Sequence, residues 1–276
     1  MTETTITARP STDMPSFRRG KNLIAVASGK GGVGKTWFSI TLASALANMG
    51  KKVLLFDGDL GLANVDVQLG LMPKRDLNDV IRGRLSLDKV VQRFEEGNFD
   101  IVAGRSGQAS LSALPSQRLA HLRDQLLEVA DDYDIVIADL GAGVDRTVRM
   151  LAAASTKTML ITTDEPTSLT DAYAFIKLGN AAGMSQNVNI VVNMASSEME
   201  GEKTYKTLLK ACQNFLRLAP PLAGMIRVDP KVKESIRHQT PILIRSPNAP
   251  AAGDVEKIAK FIWASMIEAQ KEAASG

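Results

Sequence analysis

The run Gly29-Lys-Gly-Gly-Val-Gly-Lys-Thr36 carries four glycines in eight residues and matches G-x-x-x-x-G-K-[ST] in full. It stands between an apolar run at 23–27 and a stretch of helical apolar spacing that begins near Phe38. A segment so rich in glycine belongs to neither neighbour. It turns the chain from a strand into a helix, and the missing side chains at Gly31, Gly32 and Gly34 let backbone N–H groups point inward. The helix N-terminus that follows adds a favourable dipole for an anion. Strand, glycine turn and helix in that order predict a phosphate cradle running from Gly29 through Val33 to Thr36. Lys35 is expected to reach the outer phosphates of a nucleotide as a point charge, and Thr36 to offer its hydroxyl to Mg²⁺.

The rest of the chain repeats the alternation. Short apolar runs recur at 53–56, 134–138, 158–163, 188–193 and 222–226. Segments with helical apolar spacing lie between most of them, at 38–49, 117–130, 169–178 and 202–216. Such alternation predicts an α/β fold: a doubly wound, mostly parallel sheet with helices on both faces. A last helix over 255–267 puts Val255, Ile258, Ile262 and Met266 on one face. It is expected to close the fold against the sheet; a membrane-surface helix is the alternative. Residues 1–20, rich in Thr, Ser, Pro and charge, predict a flexible N-terminal tail, and 21–276 a single domain. A chain of 276 residues is long enough to bury roughly 70–75% of its unfolded surface in one core.

Composition removes several classes. The single cysteine, Cys212, excludes an intramolecular disulfide framework, and its apolar neighbours predict a buried thiol. A net charge of +3 is too small to argue for nucleic acid by itself. No apolar stretch is long enough to span a membrane and no signal-peptide core precedes the first strand, so the cytoplasm is the expected compartment.

Two acidic motifs follow the glycine run. In Phe56-Asp-Gly-Asp-Leu-Gly-Leu-Ala-Asn-Val-Asp66, Asp57 and Asp59 end a predicted strand, where a doubly wound sheet places its ligands. Alternation is expected to put both carboxylates on one side of that strand. Beside phosphates, two carboxylates suit a divalent cation and an attacking water; capping or turn aspartates are the bland alternative. In Asp134-Ile-Val-Ile-Ala-Asp-Leu-Gly-Ala-Gly143 an apolar strand ends in Asp139, and Gly141 and Gly143 loosen the loop beyond it.

The lysine at position 30 narrows the comparison. K-G-G-x-G-K-[ST] resembles the deviant Walker A ATPases of the MinD/ParA class, which are MinD-like P-loop NTPases. The resemblance implies ATP and Mg²⁺ as ligands, slow hydrolysis, and an ATP-dependent homodimer in which Lys30 reaches the partner's nucleotide. It assigns the hydrolytic water to Asp59 and support of the metal to Asp57 and, through water, Asp139. The Asn that ends 188–193, Asn193, would read the adenine edge, with Met194 or the 224–229 turn bordering the ring. Asp164-Glu-Pro-Thr-Ser-Leu-Thr-Asp-Ala-Tyr-Ala-Phe-Ile-Lys177, with 59–66, is similar to the FlhG/FleN branch, also called YlxH, which sets flagellar number and position. A flagellar transcription activator or a polar flagellar factor is then the expected protein partner, and the cell pole a possible site of action. Rival readings are a positioning ATPase for another cargo, such as a chromosome, plasmid or chemosensory array, and an ATP-gated adaptor with negligible turnover.

The sequence departs from the class at named places. Trp37, counted here with the nucleotide-contacting residues, stands where a small polar residue often touches the α-phosphate. Leu140 replaces a common Thr or Ser, and Arg227 a Pro near the adenine pocket. The D-Q-A-x-x-L-R motif common at FlhG N-termini has no counterpart in 1–21, and no clear amphipathic membrane helix follows Ile267. Direct activation of the GTPase FlhF and a stable membrane anchor are therefore not expected. Lastly, Lys203, Lys206, Lys210 and Arg217 fall within about 60° of one another at the helical 100° per residue. They predict a wholly basic outer stripe for DNA phosphates or an acidic protein, or a solvated face. Tyr205, Leu208, Leu209, Cys212, Phe215 and Leu216 fall on the opposite side.

Overall fold

Alternating strands and helices assemble as the pattern requires. The structure, a computed structural model, describes residues 19–104, 114–181 and 187–275. The strands are β1 (Leu23–Ser28), β2 (Val53–Gly58), β3 (Gln92–Phe94), β4 (Phe99–Val102), β5 (Ile135–Ala142), β6 (Lys157–Thr162), β7 (Val188–Ala195) and β8 (Leu222–Arg227). The helices are α1 (Lys35–Asn48), α2 (Val65–Leu69), α3 (Leu77–Ile81), α4 (Ser116–Ala130), α5 (Arg146–Ala154), α6 (Pro166–Ala181), α7 (Glu198–Leu216), α8 (Pro230–Arg237), α9 (Ile242–Arg245) and α10 (Pro250–Ser275).

The sheet runs β3-β4-β2-β5-β1-β6-β7-β8. Every neighbouring pair is parallel except β3 with β4. The side-chain period of two divides β1 cleanly: Ile24 and Val26 join the core beneath α1 and α10, while Leu23, Ala25 and Ala27 join the core beneath α4, α5, α6 and α7. A strand buried on both faces reads as an unbroken apolar run, which is why six strands were visible in the sequence. β3 and β4 were not, because Gln92-Arg-Phe94 and Phe99-Asp-Ile-Val102 are short and carry polar side chains at the sheet edge.

Sequence-placed helices extend at their polar ends. α7 begins at Glu198 because Ser197 caps it, accepting from the amide of Glu200. α10 buries Val255, Ile258, Ile262 and Met266 against α1 and β8, as a closing helix should. No helix among the described residues is long and apolar enough to cross a membrane. Of the tail expected over 1–20, residues 1–18 lie outside the described residues. Gly20 already belongs to the fold, its amide donating to the carbonyl of Ala154 at 2.9 Å.

Candidate nucleotide site

In a parallel sheet the carboxyl ends of the strands share one edge, and a crevice opens where the strand order reverses. Here β1 lies between β5 and β6, so the loop leaving β1 sits over that crevice. A cleft of about 690 Å³ follows the edge, within the range of small-ligand sites. Gly31, Gly32, Gly34, Lys35 and Thr36 line one end of it, with Trp37 and Asp59. Asn193, Met194, Arg227, Val228 and Val232 line the other.

The glycine loop is fixed by what presses on it. A Cβ at Gly29 would fall 2.3 Å from the backbone carbonyl of Asp171 in α6, so no other residue fits there. Gly34 adopts φ 89° and a Cβ on it would lie 2.4 Å from Nδ2 of Asn193. α1 then starts with no side-chain cap, which leaves its first amides for an anion. Ser28 Oγ donates to the carbonyl of Lys30 at 2.6 Å, and Gly143 N donates to the carbonyl of Ser28 at 2.9 Å. The loop and the segment after Asp139 are therefore tied together.

Beneath the loop, register sets Asp57 of β2 beside Asp139 of β5, both on the α1 face. They are 1% and 2% exposed. Ser39 Oγ donates to Asp139 Oδ1 at 2.9 Å. Asp57 accepts from the amides of Val65 at 3.2 Å and Asp59 at 3.3 Å. Burial, then the neighbouring Asp139, pushes the Asp57 carboxyl up to about 8. Burial also raises Asp139, against the pull of Lys35, Thr36 and Ser39. Paired carboxyls starved of solvent are the groups a cation would return to their charged forms. Thr36, Asp57 and Asp139 are hard oxygen donors in one corner, a set that suits Mg²⁺ completed by phosphate oxygens and water. Among the described residues no three carboxylate, imidazole or thiolate groups converge as a ready cage.

Asp59 corrects one expectation. β2 ends at Gly58, so strand alternation does not place the two carboxylates together. Asp59 closes its own turn, accepting from Gly61 N at 3.2 Å and Leu62 N at 2.9 Å. That turn still brings it to the cleft, where a Cβ on Gly141 would stand 3.4 Å from its Oδ1.

Lys30 is neither solvated alone nor free. Its ammonium pairs with Glu165 and donates to Thr167 Oγ1 at 3.1 Å, both at the start of α6. Both lie in the 164–177 run quoted for its family resemblance, but nothing in the sequence ties them to Lys30, more than 130 residues away. Asn193 lines the cleft and also braces the loop: Nδ2 donates to the Val33 carbonyl at 2.7 Å and Oδ1 accepts from Met194 N. Met194 itself holds φ 58°. Trp37 is packed into the core below α1 at 5% exposure while still lining the cleft. Arg227 forks onto Asp254, with Nε to Oδ2 at 2.8 Å and Nη2 to Oδ1 at 2.7 Å. Asp254 was not legible as its partner.

The stripe on α7 is not wholly basic. Lys203 meets Glu200 at 3.4 Å and Lys206 meets Glu202 at 2.7 Å, pairs that turn spacing favours. Arg217 stands past the helix end at φ 58°, off the helical face. Leu208 and Cys212 point inward as expected, and burial pushes the Cys212 thiol up to about 11. Phe215 does not; it is 76% exposed.

Residues 24–242 match the family model described as the CobQ/CobB/MinD/ParA nucleotide binding domain. The chain is similar to the antiactivator FleN of Pseudomonas aeruginosa, 40% identical over 87% of this chain and 85% of that protein. It is also similar to the flagellum site-determining protein YlxH of Helicobacter pylori, 31% identical over 87% of this chain and 81% of that protein. Among solved structures, the septum site-determining protein MinD of Pyrococcus horikoshii, complexed with Mg-ADP, superposes with a TM-score of 0.72 at 26% identity, covering 87% of this chain and 95% of that one. With the phosphate loop, the paired aspartates and the strand order already in place, the chain belongs to the CobQ/CobB/MinD/ParA nucleotide-binding family and, within it, to the group that holds FleN and YlxH.

Proposed function

We propose that this protein is an ATP-dependent switch that dimerises around Mg-ATP, hydrolyses it slowly, and regulates flagellar number, flagellar placement or flagellar gene transcription. The observation that carries the reading is the 40% identity to an antiactivator, spread over 87% of the chain, in a protein whose phosphate loop is built and open. Mg²⁺ would supply charge neutralisation between the phosphates and Asp139. Lys35 adds a second positive charge at the outer phosphates, and the first amides of α1 donate from below. Asp59, at the cleft, orients the water that attacks the γ-phosphate. Asn193, Met194 and Val228 take the base.

Lys30 reports whether the switch is closed. Its pairing with Glu165 is a half-exposed ion pair, worth ~1 kcal/mol or less, so it is readily exchanged for a partner's phosphate. Leu62, Met194, Val228 and Ile236 rim the cleft and are exposed, an apolar border that a second copy would cover. Light scattering with ATP and Mg²⁺ tests the dimer. Lys30→Ala is expected to keep nucleotide and lose the dimer; a persistent dimer would sink the cross-interface role. Deleting the gene is expected to change flagellar number or placement, and unaltered flagella with misplaced chromosomes or receptor arrays would move the protein to another cargo.

A further inference from the structure

Helix α1 buries three hydroxyl side chains, Ser39, Thr41 and Ser44. Serine and threonine weaken a helix interior relative to alanine, and their usual outlet is the carbonyl four residues back. Thr41 takes that outlet, donating to the Trp37 carbonyl at 2.8 Å, and Ser44 Oγ has no partner among the described residues. Of the three, Ser39 alone reaches out of the helix. Its Oγ lies 2.9 Å from Asp139 Oδ1 on β5 and 3.1 Å from the Lys35 carbonyl. One proton serves both acceptors, and the Asp139 oxygen is the nearer and, once ionised, the stronger. Ser39 and Asp139 are both buried, so water does not compete for the bond.

We propose that Ser39 is a positioning residue for the cation, its hydroxyl holding the Asp139 carboxylate in one orientation before Mg²⁺ and nucleotide arrive. The inference rests on reading this corner as a Mg-nucleotide site. Thr36 stands in the first turn of α1 and Ser39 three residues later. The helix that offers its first amides to the phosphates thus also fixes the acid beneath them. Outer hydrogen-bond partners orient the carboxylates that serve a metal, and losing one costs about 10- to 100-fold in metal affinity.

Ser39→Ala removes the hydroxyl and keeps the helix. On protein saturated with ADP, the Mg²⁺ dissociation constant read by calorimetry should rise at least about tenfold. Affinity for ADP in EDTA should stay within about twofold, because Ser39 does not line the cleft. Thr41→Ala controls for a purely structural loss: a buried hydroxyl of the same helix goes, the melting temperature falls, and Mg²⁺ is held as in the wild type. In an Asp139→Asn background, Ser39→Ala should lower Mg²⁺ affinity no further, since the carboxylate it acts through is gone. An unchanged Mg²⁺ constant in Ser39→Ala, an equal loss in Thr41→Ala, or a full added loss beside Asp139→Asn would overturn the proposal and leave the nucleotide reading intact. A wild-type ADP complex that takes up no Mg²⁺ would end both.

Discussion

The two ends of the cleft are built differently. At the phosphate end Lys35, Thr36, Asp57 and Asp139 hang from β1, α1, β2 and β5, central elements with cores on both sides. The carboxyls there are buried and matched before any ligand arrives. At the base end Met194, Val228 and Ile236 are exposed, and they come from strand ends and the short helix α8. Preorganised groups bind with little ordering cost, whereas exposed side chains lose rotamer freedom on binding. On the proposed reading, recognition of the phosphate chain is fixed in the scaffold, and recognition of the base combines the fixed Asn193 with an exposed apolar rim.

Lys35→Ala should break the phosphate end outright, weakening ATP at least about 100-fold, since a desolvated charge-assisted contact is lost. Calorimetry measures it, with Met194→Ala at the base end expected to stay within about fivefold. Comparable losses at both ends would refute the contrast. Asp59→Ala should leave ATP affinity nearly intact and stop turnover, so the ATP-bound dimer accumulates. Turnover and dimer fraction can be read together, and unchanged turnover would remove Asp59 from catalysis.

The phosphate end also carries a stability cost that depends on pH. Asp57 has a folded-state value of about 8 against an ordinary 3.8. Between those values the folded protein keeps a proton that the unfolded chain has released. The stability linked to that proton is complete below about pH 4 and lost as pH rises through about 8. Nucleotide-free protein should therefore weaken across this window, and Asp57→Asn should gain on wild type as pH rises. Denaturant midpoints at both ends of the window measure it; parallel curves would mean that the carboxyl is ionised throughout. At the other end of the cleft Arg227 and Asp254 satisfy each other. Arg227→Ala leaves the buried Asp254 carboxylate with the backbone amide of residue 227, at 3.1 Å, and Lys257, 3.8 Å away. A loss of about 1–3 kcal/mol is expected, and Asp254→Ala added to Arg227→Ala should recover part of it.

The phosphate end was legible because its chemistry is local. Glycine spacing, a following lysine and an apolar run ending in Asp139, which the strand carries on to Ala142, are short-range signals with one physical meaning each. β1 and the other buried strands read as apolar runs for the same reason that makes them central. What stayed hidden is what the fold brings together over distance. Glu165 and Thr167 hold Lys30 from the start of α6, Asp254 holds Arg227 from α10, and Asn193 clamps Val33 from β7. Asp59 shows the opposite failure, since a local rule about alternation was applied one residue past the end of its strand.

Outside the cleft, charge should count for least. Lys203, Lys206 and Lys210 are exposed on α7, and the first two already meet Glu200 and Glu202. Exposed pairs of this kind contribute ~0–1 kcal/mol. Reversing all three to Glu replaces attraction with repulsion at turn spacing, a few tenths of a kcal/mol per pair, so about 1 kcal/mol is the expected total. Affinity for ATP should stay within about twofold, because no lysine of the stripe lines the cleft. Duplex DNA is the sharper probe. A stripe in which two of three lysines already meet carboxylates releases few counterions, so retention of DNA in a mobility shift should be slight at physiological salt and should not steepen as salt falls. A strong, salt-sensitive shift by the wild type that the triple variant loses would show that the outer face of α7 is a working surface, and that charge far from the cleft matters as much as charge within it.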